Sequence, residues 1–149
     1  MENLNWLIKN SQKDIPRPKV VFCARGNYGG YYLHPFENEV MPGEGRYYDG
    51  EKGLIIIFEN NKQTDGEIAS TLAHEFRHHL QWLNNIKQKV YYDWPLENNG
   101  KSHKQNILDY FLKNPIEMDA LLFENRMAPS DYSLEWEDWV RQKISKGMR

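Results

Sequence analysis

Two histidines and a glutamate on one short stretch, His74-Glu75-Phe76-Arg77-His78, are the residues best suited to chemistry in this chain. Side chains four residues apart on a helix project from one face, so both imidazoles can offer a nitrogen to a single tetrahedral ion, for which zinc is the natural occupant. The Glu75 carboxylate, beside the first histidine, can then reach a water held on that ion. The expected chemistry is hydrolysis. The ion lowers the pKa of the water and polarises a carbonyl, while Glu75 takes the proton and returns it to a departing amine. The competing reading is an exposed helix with histidines on its polar face. His79, turned about a hundred degrees from His78, is expected to be a surface or packing residue.

A hydrolytic metal site takes three protein ligands and keeps a fourth position open, so one ligand must come from elsewhere. Glu117 is the expected third ligand, although the third position after Asn114 also suits a helix-capping glutamate. His103, in Gly100-Lys101-Ser102-His103, is the rival and would make a three-histidine site. Asp119 comes next, followed by Asp93, Glu97 and Asp109, which read better as loop or helix-surface carboxylates. No tyrosine and no other histidine is assigned a catalytic role.

These residues must be carried by ordered elements. Thr64-Asp65-Gly66-Glu67 has the form of a capping box and predicts a helix start, with Ile68, Leu72, Phe76, Leu80 and Leu83 forming an apolar face to about Asn84 or Asn85. Ser102 with Gln105 starts a second helix, which ends before Pro115. Asn114-Pro115 starts a third that runs to about Met127, and Leu134, Trp136, Trp139, Val140 and Ile144 predict a closing helix. Ahead of residue 64 the chain reads as strands: Lys19 to Ala24, Tyr31 to Leu33, Arg46 to Tyr48 and, after an Asp49-Gly50 turn, a central strand at Leu54 to Phe58. A short helix is expected within Met1 to Asp14. Strands first and helices second predict the α+β class.

With 149 residues, 40% of them hydrophobic, the chain is expected to form one domain over 1–149. A formal charge of -2 with dispersed basic residues argues against binding to nucleic acid or an anionic membrane surface. No run is long enough to span a bilayer, and the first residues lack the continuous apolar core of a signal peptide. The single cysteine, Cys23, lies in an apolar run that reads as buried, which fits a reducing, cytoplasmic compartment.

His74-Glu75-Phe76-Arg77-His78 followed by Glu117-Met118-Asp119-Ala120 resembles the gluzincins, most nearly the minimal single-domain gluzincins and the ImmA/IrrE-type peptidase domains, many of them from phages and mobile elements. The likeness covers about Leu54 to Glu124. It implies a zincin-like fold, a small twisted sheet on the motif helix with a glutamate from a later helix completing a zinc site, and it favours Glu117 as ligand over cap. The implied activity is cleavage of peptides or proteins. That family often has Asp or Asn four residues after the ligand glutamate to support a histidine; Leu121 stands there in this chain, and Asp119 is the nearest substitute. Two alternatives accompany this reading: a zinc-stabilised interaction module without turnover, and a protease of the SprT-like kind, acting near nucleic acid with His103 as third ligand.

Overall fold

Leu54-Ile55-Ile56-Ile57-Phe58 is apolar on both faces with three β-branched isoleucines at its centre, which suits a strand flanked on both sides. In the computed structural model, which describes residues 17–23, 29–34, 53–58, 64–84 and 100–147, it is the middle of a three-stranded sheet. The strands are β1 (Lys19–Cys23), β2 (Gly30–Leu33) and β3 (Leu54–Phe58), in the order β1-β3-β2. β1 runs parallel to β3 with Lys19 opposite Leu54, and β2 runs antiparallel with Leu33 opposite Leu54. Because side chains alternate along a strand, Ile55 and Ile57 join one apolar cluster while Leu54 and Ile56 join another with Leu33.

Four helices follow: α1 (Asp65–Leu83), α2 (His103–Lys113), α3 (Pro115–Met127) and α4 (Asp131–Gly147). The architecture is α+β, with the change from strands to helices at the expected place. Thr64 caps α1 by accepting the Glu67 amide at 3.2 Å, and Ser102 accepts the Gln105 amide at 3.2 Å at the start of α2. Asn114 departs from expectation. Its side chain makes no cap bond for α3 but turns back to donate to the Tyr110 carbonyl at 2.6 Å, closing the preceding helix, so Pro115 alone marks the start of α3. The last helix begins at Asp131, ahead of its first apolar residues, where Ser130 and Ser133 hydrogen-bond each other. Cys23 is half-buried rather than buried, since β1 is an edge strand. The expected helix within Met1 to Asp14 and the expected strand Arg46 to Tyr48 lie outside the described residues.

Leu72, Phe76 and Leu80 of α1 pack on Ile55, Ile57 and Tyr32 of the sheet, with Phe123 of α3 against the same cluster. Ala73 and Ala120 are fully buried and let helices approach closely. α1 packs most extensively against α3, so the sheet positions α1 and α1 positions α3. A second cluster, Ile107, Leu108 and Phe111 of α2 with Leu121 of α3 and Val140 of α4, holds the far side of α3. Leu121 is buried in that cluster, and its aliphatic side chain has no polar atom with which to support a histidine. No described helix is long and apolar enough to cross a membrane.

Leu121, 0% exposed, is the test of this second cluster. Leu121→Ala is expected to cost about 2–5 kcal/mol of unfolding free energy, read from the midpoint of urea denaturation.

Candidate functional site

The nineteen residues of α1 include a run from Ser70 to Gln81 in which polar groups are buried among apolar ones. Leu72, Phe76 and Leu80 spend one face on the sheet, which turns His74, His78 and Gln81 toward α3. The imidazole centroids of His74 and His78 are 5.0 Å apart with rings near perpendicular. Nitrogen and carboxylate atoms of His74, Glu75 and His78 all lie within 4.8 Å of one another, a group that could hold a metal ion.

Glu117, on the first turn of α3, is buried and reaches both histidines. One carboxylate oxygen accepts from His74 Nε2 at 2.8 Å and the other lies 3.0 Å from His78 Nε2. Of the two glutamates, Glu117 is the better third donor, because its two oxygens lie at hydrogen-bond distance from both Nε2 atoms. The histidines are also held from behind. His74 Nδ1 donates to Glu124 Oε1 at 2.8 Å, Ser70 donates to the other Glu124 oxygen at 2.5 Å, and His78 Nδ1 lies 2.8 Å from Gln81 Oε1. Gln81 Nε2 in turn donates to the Ile116 carbonyl at 3.0 Å and to Asp119 Oδ2 at 2.8 Å. Arg77 grips the same Asp119 through Nε at 2.8 Å and a terminal nitrogen at 3.2 Å, with its guanidinium 5.0 Å above the Phe123 ring.

The electrostatics follow from this packing. Burial pushes the Glu75 carboxyl up to about 7, with the two histidines opposing the rise and Glu117 and Glu124 adding to it. Burial acts to lower His74, but the charge of Glu124 and hydrogen bonds to Glu117 and Glu124 outweigh it and hold the imidazole well above its usual value. His78 is also raised: burial works against the shift, and Glu117 more than offsets it. Burial would raise Glu117, yet His78 and His74 together hold it far below the ordinary carboxylate range. A carboxyl near neutrality beside imidazoles facing an ionised carboxylate can bind a cation and move a proton.

The structure thus brings together His74, Glu75, His78 and Glu117. His103 is exposed at the start of α2 and stands outside the group. Asp109 bonds Lys101 and Gln105 on the α2 surface, and Asp93 and Glu97 lie outside the described residues. Asp119 stands outside the His74, Glu75 and His78 group and bonds Gln81 Nε2, which shares an amide with the oxygen facing His78, and Arg77. His79 is a packing histidine, 2.7 Å from the Tyr32 hydroxyl on the sheet side. Sequence reasoning missed Glu124 and Gln81. Glu124 lies seven residues, close to two helical turns, after Glu117, so the shared face of α3 was the available signal. Compared with models of known families, with curated proteins and with solved structures, the chain has no match.

A metal ion needs bare imidazole nitrogens, whereas His74 and His78 hold their protons above the usual imidazole range in the metal-free chain. Loading is therefore expected to release protons, and affinity to fall as the pH is lowered through that raised range and below it. Calorimetric titration with zinc in buffers of different ionisation enthalpy measures the release; a heat independent of the buffer would contradict the protonated resting state.

Proposed function

We propose that this chain is a zinc-dependent peptidase of the gluzincin type. The observation that carries the reading is the Glu117 carboxylate set between His74 Nε2 and His78 Nε2 at 2.8 and 3.0 Å, with Glu75 beside them. Two imidazoles and one carboxylate are the donor set that suits a catalytic zinc; among the described residues the one group of this kind is His74, Glu75 and His78, and Glu117 converges on its two imidazoles. A zincin-like fold goes with this reading, and a motif helix beside a small sheet, with the third donor on a later helix, supports it. Cys23 as the one cysteine of the chain supports a cytoplasmic setting.

In this reading His74, His78 and Glu117 hold the ion. When bound, zinc supplies Lewis acidity, making water a nucleophile near neutral pH and polarising the scissile carbonyl. Glu75 accepts the proton lost by the attacking water and passes it to the amine that leaves. Its burial serves that role, since a base with a pKa near the working pH can both take and return a proton. Glu124 and Gln81 keep the imidazole rings from rotating.

Three variants separate this proposal from a zinc-stabilised interaction module and from a three-histidine site. Glu75→Gln is expected to retain zinc by elemental analysis while peptide cleavage drops about 10²–10⁴-fold, because the proton carrier is gone and the donors are intact. Glu117→Ala is expected to lose zinc and His103→Ala to keep it. Cleavage undiminished in Glu75→Gln sinks the mechanism; zinc bound without cleavage in the unsubstituted chain establishes the module; and loss of zinc in His103→Ala alone establishes the three-histidine site.

A further inference from the structure

The amide of Gln81 is 2% exposed and caught between three polar groups, two of which can only accept hydrogen bonds. A main-chain carbonyl and an ionised carboxylate carry no hydrogen, so the Gln81 nitrogen must face Ile116 O and Asp119 Oδ2, and both of its N–H bonds are used there. The amide cannot be turned over without setting its oxygen against both acceptors. Its oxygen is thereby aimed at His78 Nδ1, 2.8 Å away. An oxygen there has no hydrogen to give, so the hydrogen of that bond must sit on Nδ1.

We infer that Gln81, oriented by Ile116 O and Asp119, is a positioning residue that fixes a proton on His78 Nδ1 and so leaves Nε2, 3.0 Å from Glu117, as the nitrogen that gives up its proton to an ion. Asp119 acts through Gln81, with Arg77 holding it from the other side at 2.8 and 3.2 Å. The device also ties two parts of the site together. Ile116 and Asp119 flank Glu117 on the first turn of α3, so the amide that orients one histidine also anchors the turn that carries the facing carboxylate. His74 is served differently, by the charged Glu124 backed by Ser70. The inference rests on the proposed metal site for its functional meaning, but the proton on Nδ1 stands on the hydrogen-bond geometry alone.

The test reads proton positions directly, by long-range proton–nitrogen NMR of the histidine rings in the zinc-loaded full chain. The unsubstituted protein is expected to show His78 with Nδ1 protonated and Nε2 bound. Gln81→Met, close in shape but without polar atoms, is expected to lose about 10–100-fold in zinc affinity. Asp119→Ala is expected to lose less, because Ile116 O still takes one N–H, and to cause no further loss when combined with Gln81→Met. A His78 protonated at Nε2 or bound through Nδ1 overturns the inference. So does unchanged affinity in a folded Gln81→Met, or an Asp119 effect that adds fully to that of Gln81. Should the unsubstituted chain retain no zinc, the peptidase proposal falls separately, and the metal-free chain is read instead: a proton on His78 Nδ1 whose resonance shifts in Gln81→Met upholds the inference, and an Nδ1 without a proton overturns it.

Discussion

Charge buried between helices has to be cancelled where it lies, and the ionisable side chains where α1 meets α3 include His74, Glu75, His78, Glu117 and Glu124. An isolated ion in such a place costs several kcal/mol, and only close pairing with further hydrogen bonds offsets it. Each imidazole here is bracketed. His74 lies between Glu117 and Glu124, and His78 between Glu117 and Gln81. That arrangement exists at one relative placement of the two helices, because a shift of α3 by a single residue would carry the Glu117 carboxylate away from both Nε2 atoms. Polar pairing therefore selects the register of α1 against α3, while the apolar contacts of Phe123 with the α1 cluster supply the non-directional attraction.

The division of α1 into three working sides follows. Leu72, Phe76 and Leu80 face the sheet, His74, His78 and Gln81 face α3, and His79 reaches Tyr32. A helix buried on so much of its circumference is usually apolar all round. This one is not, and polar groups in its buried stretch are matched to partners on another element or a neighbouring turn: Ser70 to Glu124, Thr71 to the Glu67 carbonyl, Gln81 to Ile116 and Asp119. The sheet supplies rigidity behind the motif, since Ile55 and Ile57 are fully buried against α1.

What could be read in the sequence was whatever depends on local periodicity. The spacing of His74 and His78, the Thr64 cap and the apolar stripe of α1 are helical regularities, and the doubly apolar run at Leu54 to Phe58 announced a central strand. Glu117 was legible as a candidate from its place on the first turn of a helix marked by Pro115, but that place suited a cap as well, and the resemblance of the stretch Glu117 to Ala120 weighed for the ligand. Glu124 was harder: it reaches His74 from 50 residues away in sequence, and nothing local distinguishes it from a surface glutamate. Gln81 was invisible for a different reason. Its role depends on Ile116 O, a main-chain atom that every residue possesses, and on the side to which α3 turns Asp119. Asn114 shows the limit of cap rules, for the same side chain can close the helix before it or open the one after it, and the near carbonyl of Tyr110 won.

The unequal partners behind the two histidines also bear on Glu75. Its carboxyl is pushed up chiefly by burial, then pulled down by His78 and His74 and pushed up again by Glu117 and Glu124. The balance leaves it near neutrality, the range in which a group can both accept and release a proton. A carboxylate in place of the Gln81 amide would also accept from His78, but it would bring a further negative charge to the side of the site nearest the histidine that acts most strongly on Glu75. Like charge disfavours ionisation, so such a carboxylate would act on Glu75 in the same direction as Glu117 and Glu124. A neutral amide supplies the orienting oxygen without that charge. The choice of glutamate behind one imidazole and glutamine behind the other thus satisfies two demands together: both rings are held, and the carboxyl beside them stays within reach of its ionised form.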